Sequence, residues 1–179
     1  METKLDDLGS EPTHFADCCV AISRPLVEAI AVRLPPKPAL TLSVGSGSGL
    51  LEDFLLQYQT ADDASYLDLY GIEVPTCVNR YLPEDRLLRV ASTSTLYEDA
   101  MFASAVIFVY PRQVSLIAQY LDACLNGALE KVLWLGHRSD WPDAQGMISD
   151  AFLSLEYYNG AGIVDYELLV IASDPKKHL

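Results

Sequence analysis

The sequence predicts an α/β fold built on a mostly parallel β-sheet that ends in an antiparallel hairpin. Helix-like and strand-like stretches alternate through residues 15–151, a pattern typical of parallel strands joined by crossover helices. Beyond them, residues 153–158 and 163–172 are two strand-like runs separated only by residues 159–162, with the sequence NGAG. Because parallel strands need a much longer connection, this last pair is expected to be antiparallel.

The first predicted elements surround a glycine-rich loop. Residues 15–33 carry apolar side chains at helical spacing and are followed by two prolines, which end a helix. Residues 39–44 form a short apolar strand, and a helix with one apolar face begins at Leu50, directly after the glycine-rich residues 45–49. Further along, residues 66–74 are predicted as the second strand, and Pro75 is suited to the first turn of a short helix.

The remaining elements complete one domain. Residues 86–91 are the third predicted strand, and a polar turn at 92–95 precedes a short helix over 96–101. Residues 104–110 are the most continuously apolar run, so we place this fourth strand at the centre of the sheet, buried on both faces. The elements predicted before the final hairpin are a helix at 113–125, a strand at 131–135 and a helix at 143–151. We expect one domain over residues 15–173, with tails at 1–14 and 174–179.

The charge of the chain restricts its binding partners. Of 179 residues, 50% are hydrophobic, and 25 Asp and Glu against 12 Lys and Arg give a formal net charge of −13 at pH 7. An acidic surface repels phosphate backbones and anionic headgroups, so we expect no direct binding to nucleic acid and none to a membrane. The expected substrate is a small molecule or a protein, and a protein is also the expected type of further partner.

The chain termini and the cysteines favour a soluble protein of the cytoplasm or the nucleus. The N-terminus is acidic and lacks a secretion signal, and no stretch approaches the roughly 18 apolar residues of a membrane span. The four cysteines form no C-x-x-C pair and have no histidine at metal-ligand spacing. We therefore expect reduced thiols and no metal site.

The strongest local signal is VGSGSG at residues 44–49, between a predicted strand and a predicted helix. Glycines there permit positive φ angles and let a ligand approach the backbone. The third glycine falls one residue early for the G-x-G-x-x-G dinucleotide motif, and no Gly-Lys-Ser/Thr follows, which excludes a P-loop. The loop is thus either a ligand site or a merely tight turn, and three alternating glycines favour the ligand site.

Glu73 is the second signal, because it stands at the end of the second predicted strand, in GIEV at residues 71–74. An acid at this point of a nucleotide-binding α/β fold accepts hydrogen bonds from the two hydroxyls of a ribose. An isolated acid at a strand end is usually only solvated. Its position relative to the glycine loop favours the ribose role.

These two motifs and the order of elements resemble the class I S-adenosylmethionine-dependent methyltransferases. The resemblance implies a Rossmann-like three-layer sandwich with a seven-stranded sheet. It also implies S-adenosyl-L-methionine bound at the carboxyl ends of the first, second and fourth strands, with the helix over residues 15–33 covering the site. Glycines 45, 47 and 49 would accommodate the methionine part, and Thr93 or Ser94 would meet the adenine. The implied cofactor-binding residues are Ser43, Gly45, Ser46, Gly47, Gly49, Glu73, Thr93 and Ser94.

Three features of the chain depart from the family pattern. Ser43 stands where many members have an acid, and neither Thr93 nor Ser94 is the acid that many members place near the adenine. Residues 109–113, VYPRQ, also lack the Asn/Asp-Pro-Pro-aromatic motif of members that modify amides and amines. These departures leave a second reading open, in which the fold serves as a catalytically inactive scaffold or regulatory subunit.

Methyl transfer requires alignment of the acceptor and, for a hydroxyl or ammonium acceptor, removal of a proton. Suitable groups must follow the fourth and fifth strands, which makes Tyr110 and His137 the candidate catalytic residues. A lone histidine in a loop is, however, often only solvated or structural. His14 is expected to reach the same region if the N-terminal segment folds over the site. The sequence therefore predicts a methyltransferase acting by in-line methyl transfer.

Overall fold

The computed structural model describes residues 4–58 and 66–176 of the chain. Its helices are α1 (Arg24–Ala31), α2 (Leu50–Gln57), α3 (Val114–Leu125) and α4 (Trp141–Ala151). Its strands are β1 (Thr13–His14), β2 (Ala21–Ile22), β3 (Leu40–Val44), β4 (Asp68–Glu73), β5 (Leu87–Arg89), β6 (Ala105–Val109), β7 (Lys131–His137), β8 (Phe152–Tyr157) and β9 (Glu167–Pro175). None of the helices in these ranges is long and apolar enough to cross a lipid bilayer.

Seven strands form one sheet in the order β5-β4-β3-β6-β7-β9-β8, and β1 pairs with β2 as a separate hairpin. The five strands from β5 to β7 are parallel, whereas β9 runs antiparallel to both β7 and β8. This arrangement confirms the predicted mixed sheet. Because the chain runs outward from β3 to β5 and then returns to β6, the strand order reverses between β3 and β6, where such sheets bind ligands.

The core has two apolar layers, one on each face of the sheet. In β6, Val106 and Phe108 pack on the face covered by α3 and α4, and Ala105 and Ile107 pack on the face covered by α1 and α2. All four are at most 1% exposed. The prediction that the fourth strand is central and buried on both faces is therefore confirmed, and the sandwich has three layers.

The predicted helix over residues 15–33 is wrong in its first half. Residues 13–22 contain the β1–β2 hairpin, and the helix extends only from Arg24 to Ala31. The Ser23 hydroxyl accepts a hydrogen bond from the backbone N–H of Leu26, and Pro25 lies in the first turn. A serine cap followed by proline is a helix start signal, so the boundary was readable in the sequence.

Other boundaries differ where short helices were predicted. Residues 75–83 contain no helix, and only a single 3-10 turn, Ala100–Phe102, occurs within the helix predicted at 96–101. Strand β7 continues to His137 rather than ending at residue 135. Strand β9 begins at Glu167, so the final antiparallel pair is joined by residues 158–166 rather than by a four-residue turn.

Candidate functional site

The glycine loop leaves β3 and enters α2 at the point where the strand order reverses. Gly45, Gly47 and Gly49 all have positive φ angles, of 76°, 60° and 81°. A Cβ atom added at Gly45 or Gly47 would meet no atom within 4 Å, so both residues border open space. The backbone N–H groups of Gly45 and Ser46 both donate to the Ile72 carbonyl, at 2.9 and 3.2 Å, which ties the loop to β4.

Gly49 has a different role from the other two glycines. A Cβ atom there would lie 2.6 Å from Cβ of Leu82 and 2.8 Å from Oδ1 of Asn79. Gly49 is also the N-cap residue of α2 and does not line the cavity beside the loop. The chain thus uses Gly49 for close packing of residues 79–82 against the helix.

A cavity of about 520 Å³ opens beside the loop at the carboxyl ends of β3, β4 and β6. We call it the loop cavity. Gly45, Gly47 and Glu73 line one part of it. Apolar side chains form most of the remaining wall: Val44, Ile72, Val74, Val90, Phe108, Val109, Leu116 and Ile117. Its size and mixed lining are typical of small-molecule and cofactor sites.

Glu73 is fixed at the edge of the loop cavity by backbone donors. Its Oε1 accepts a 3.0 Å hydrogen bond from the N–H of Gly47, and its Oε2 accepts a 2.9 Å bond from the N–H of Val74. A carboxylate has about four acceptor positions, so each oxygen retains capacity for a ligand hydroxyl. The glycine loop and the predicted ribose-binding acid therefore meet at one site.

Hydroxyl groups also line the loop cavity, in the segment where the sequence predicted the adenine contact. Ser92, Thr93 and Thr95 line it, whereas Ser94 does not. The Thr93 hydroxyl oxygen is 3.3 Å from Nε2 of Gln113, which donates to it, and the Ser92 and Thr95 hydroxyls are 2.8 Å apart. This segment offers hydroxyl groups rather than a carboxylate.

Ser43 lies in β3 below the loop, Ser46 is a loop residue with a buried hydroxyl, and neither lines the loop cavity. The Ser43 hydroxyl donates a 2.6 Å hydrogen bond to Oε1 of Glu52, a residue of α2 that is only 2% exposed. Burial raises the pKa of the Glu52 carboxyl to about 7, and the charge of Glu73 acts in the same direction. Glu52 Oε2 and the Ser46 hydroxyl are buried without a hydrogen-bond partner in the part of the chain that the structure describes.

Tyr110 follows β6 and lines the loop cavity. Its φ angle of 45° lies in the left-handed region, which is uncommon for a residue other than glycine. Its backbone N–H donates to the Leu135 carbonyl at 2.7 Å, and its hydroxyl donates to Oε1 of Glu167 at 2.8 Å. Burial and the bond to Glu167 raise the pKa of the Tyr110 phenol.

His137 does not line the loop cavity but lies beside it in a cluster with His14 and Tyr166. The rings of His137 and Tyr166 are stacked with centroids 5.7 Å apart, and Nε2 of His14 is 2.7 Å from the Tyr166 hydroxyl. Nδ1 of His137 also accepts a 3.2 Å bond from the backbone N–H of Ser139. The structure thus brings His14 and His137 together, but on strands β1 and β7 rather than on a covering helix.

The sequence reasoning missed Glu167, the most buried acid near these groups. Glu167 is 0% exposed, and its Oε1 accepts bonds from the Tyr110 hydroxyl and from the Ala21 N–H at 3.3 Å. Burial raises the pKa of its carboxyl, whereas its hydrogen bonds and the imidazoles of His14 and His137 lower it. The available signal in the sequence was an acid, Glu167, directly before the apolar residues 168–172.

The described residues contain no group of three His, Cys, Asp or Glu side chains that could hold a metal ion. All four cysteines are free, and Cys19 and Cys77 line the loop cavity. A larger open hollow of about 1290 Å³ lies beside α1 and α2, but it includes neither the glycine loop nor Glu73. The loop cavity is therefore the candidate site.

Comparison with known proteins gives structural similarity only. No family model and no curated protein matches the chain. A precorrin-6y C5,15-methyltransferase from Geobacter metallireducens GS-15 is similar with a TM-score of 0.59 and 10% identity, over 94% of this chain and 96% of that chain. An S-adenosylmethionine-dependent O-methyltransferase from Thermotoga maritima also has a TM-score of 0.59, with 12% identity over 88% of this chain and 68% of that chain.

A third similar structure is the S-adenosylmethionine-dependent methyltransferase SibL, with a TM-score of 0.55 and 15% identity over 84% of this chain. The match spans 56% of the length of SibL. The similarity to these three structures covers at least 84% of this chain and is a similarity of fold. The chain has the Rossmann-like fold of the class I S-adenosylmethionine-dependent methyltransferases.

Proposed function

We propose that the protein binds S-adenosylmethionine in the loop cavity and transfers its methyl group to a small-molecule or protein acceptor. The observation that carries this proposal is the position of Glu73, whose carboxylate lines the same cavity as Gly45 and Gly47. The two glycines leave open space at the backbone, and the acid supplies hydrogen-bond acceptors beside them. This combination suits a ligand that carries both an amino-acid part and a ribose.

The remaining walls of the loop cavity fit the rest of the cofactor. Val90, Leu116 and Ile117 provide apolar surface for a flat base, and Thr93 lines the same cavity. When bound, the cofactor supplies a methyl group already activated by a sulfonium. The chain is then required only to align the acceptor and to accept its proton, for which Tyr110 and His137 remain the proposed residues. A net charge of −13 is compatible with a cationic ligand.

Calorimetric titration with S-adenosylhomocysteine tests the proposal. The wild-type protein is expected to bind one equivalent, and Glu73→Gln is expected to weaken binding about a hundredfold, because two hydrogen bonds to a charged acceptor are lost. Glu98→Gln, which changes an exposed acid outside the cavity lining, is the matched control and should bind like the wild type. Folded protein that does not bind the ligand at millimolar concentration would refute the proposal.

The net charge of −13 supports a proposal about partners, and the free cysteines support one about the compartment. We propose that the acidic chain acts without direct contact to nucleic acid or to a membrane, with a protein partner, in the cytoplasm or the nucleus. An electrophoretic shift of RNA by the isolated chain at physiological salt would contradict this part of the proposal.

One observation favours the inactive scaffold as a second candidate. Both carboxylate oxygens of Glu73 already accept backbone hydrogen bonds, and the hydroxyls of Ser92, Thr93 and Thr95 are bonded to side chains. A scaffold would retain these contacts and would not bind the ligand. The titration above therefore separates the two functions. An enzyme is expected to bind S-adenosylhomocysteine and to lose affinity in Glu73→Gln, whereas a scaffold is expected not to bind it at all.

A further inference from the structure

We infer that Tyr110 and Glu167 form a path that takes a proton from the methyl acceptor, and that the acceptor carries a neutral hydroxyl group. This inference rests on the proposed function, because the path starts at the cavity that would hold the cofactor. It extends that function by adding Glu167 and by naming the chemical class of the acceptor.

Tyr110 is the part of the path that contacts the acceptor. It lines the loop cavity, and its hydroxyl donates to Oε1 of Glu167 at 2.8 Å. A phenol has one proton and two lone pairs, so a Tyr110 hydroxyl that donates to Glu167 can only accept a hydrogen bond from any other group. A molecule that binds at Tyr110 must therefore bring a hydrogen-bond donor.

The backbone around Tyr110 holds the phenol in this position. The residue has a φ angle of 45°, which is strained for a residue other than glycine, and its N–H is bonded to the Leu135 carbonyl at 2.7 Å. Strained backbone persists where the surroundings fix it, and such positions cluster at functional sites. The strain and the bond to Glu167 together indicate that the direction of the Tyr110 side chain is specified.

Glu167 is a base shielded from water. It is 0% exposed, and its Oε2 has no hydrogen-bond partner among the described residues. Within the described part of the chain, its Oε1 bonds to the Tyr110 hydroxyl and the Ala21 N–H. A proton from the cavity thus reaches the carboxylate through Tyr110. A buried carboxylate whose oxygens are not all hydrogen-bonded also accepts a proton more readily than a carboxylate in water does.

The transfer balances without an additional reactant. The acceptor oxygen forms a bond to the methyl carbon, and the carbon–sulfur bond breaks with its electron pair remaining on sulfur. The acceptor proton moves to the Tyr110 oxygen while the Tyr110 proton moves to Glu167, which becomes a neutral carboxylic acid. No free tyrosinate is formed, which is consistent with the raised pKa of Tyr110.

A neutral hydroxyl is the acceptor that needs such a path. A neutral amine that attacks the methyl group becomes a stable alkylammonium, which can release its proton to water after the transfer. A neutral hydroxyl would become a strongly acidic oxonium, so its proton must leave as the methyl group is transferred. A proton path from the cavity to a water-excluded carboxylate therefore favours an O–H acceptor over an amine.

Several charged and titratable groups face Glu167 and will affect the pH dependence. Those that act on Glu167 itself are His14 on β1, Tyr110 after β6, His137 on β7 and Arg138 after β7, whereas Cys19 and Tyr166 act on Tyr110. Arg138 donates to the backbone carbonyl of Glu167 at 3.2 Å. His14 is exposed and His137 is half-buried, so both are suited to pass the proton on to solvent.

The test measures transfer of tritiated methyl groups from S-adenosylmethionine to a panel of compounds with the full chain. The panel contains phenol, catechol, 4-nitrophenol, ethanol, benzylamine and thiophenol. We expect transfer to hydroxyl compounds. Tyr110→Phe and Glu167→Gln should each lower kcat for phenol at least tenfold, and the loss should shrink for 4-nitrophenol, which has already lost its proton at pH 8.

Tyr157→Phe and Glu130→Gln are the matched controls, since both residues are exposed and neither lines the loop cavity. A loss of kcat that is equal for phenol and 4-nitrophenol would overturn the proton path, because a merely structural defect does not depend on acceptor acidity. Should Glu167→Gln fail to fold, Tyr110→Phe carries the same comparison.

The two proposals fail in different ways. Binding of S-adenosylhomocysteine without transfer to any hydroxyl compound, or transfer only to the amine or the thiol, would overturn the present inference and leave the cofactor site standing. Absence of S-adenosylhomocysteine binding by the folded protein would overturn both.

Discussion

The Ser43 hydroxyl and the Glu52 carboxyl form a 2.6 Å hydrogen bond below the glycine loop, which joins β3 to α2. Glu52 is 2% exposed, and its second oxygen is without a hydrogen-bond partner within residues 4–58 and 66–176. A buried acid in this setting retains its proton more readily than it would in water. The loop thus rests on a group whose charge state depends on pH near neutrality.

Glu52→Gln is predicted to change the pH dependence of stability. Burial raises the pKa of Glu52 from 4.5 to about 7, so the unfolded chain ionises first as pH rises. The stabilising contribution of the protonated group is complete below pH 4.5 and is lost as pH rises to about 7. Relative to the glutamine variant, the wild type should lose about 3 kcal/mol of unfolding free energy over this window.

Urea unfolding of both proteins at several pH values from 4 to 8 measures this difference. Ser43→Ala is an informative companion, because it leaves the carboxyl without its donor and should cost about 1–3 kcal/mol. A constant gap between the wild type and Glu52→Gln across the whole range would show that Glu52 titrates normally.

Gly49→Ala and Gly47→Ala are predicted to have different effects. Both glycines have positive φ, but a Cβ atom at Gly49 lies within 3 Å of Leu82 and Asn79, whereas one at Gly47 meets nothing within 4 Å. Gly49→Ala should therefore lower stability by about 2 kcal/mol more than Gly47→Ala. Thermal unfolding monitored by circular dichroism checks the order.

The reverse order is expected for ligand binding. Gly47 borders the loop cavity and Gly49 does not. In folded protein, Gly47→Ala should therefore reduce the affinity for S-adenosylhomocysteine more than Gly49→Ala does. If Gly49→Ala were as stable as Gly47→Ala, the assignment of Gly49 to packing would be incorrect.

Ser23→Ala is predicted to destabilise the N-terminus of α1. The Ser23 side chain is fully buried, accepts from the Leu26 N–H at 3.1 Å and donates to the Gly162 carbonyl at 2.6 Å. Loss of the cap and of this link should cost about 2 kcal/mol. Denaturant unfolding provides the value, with Ser149→Ala on the partly buried side of α4 as a comparison. An unchanged midpoint for Ser23→Ala would contradict the role of the cap.

The parts of the fold that depend on local patterns were predictable from the sequence. The apolar run of β6 and the glycine loop are recognisable from composition and periodicity alone, and Glu73 could be assigned to a strand end by its distance from the loop. The structure brings that acid within hydrogen-bond distance of Gly47.

The parts that depend on long-range contacts were not predictable. Tyr110 and Glu167 are 57 positions apart, and their contact depends on the antiparallel register that places Glu167 opposite His137. The sequence predicted that the last strand begins at residue 163, four residues before its start at Glu167. Glu167 was therefore not recognised as the first residue of that strand. The bond between Ser43 and Glu52 likewise depends on how α2 packs against β3. The error in the helix predicted at residues 15–33 was local instead, because the cap at Ser23 and the proline at 25 mark the start of α1.

A crystal structure with S-adenosylhomocysteine bound tests the central claim most directly, because it locates the ligand relative to Glu73. We predict that the ribose hydroxyls lie about 2.5–3.0 Å from the Glu73 carboxylate. The homocysteine part should lie against Gly45 and Gly47, and the sulfur should face the Tyr110 side of the cavity. A ligand bound in the hollow beside α1 and α2, with the loop cavity empty, would contradict the account.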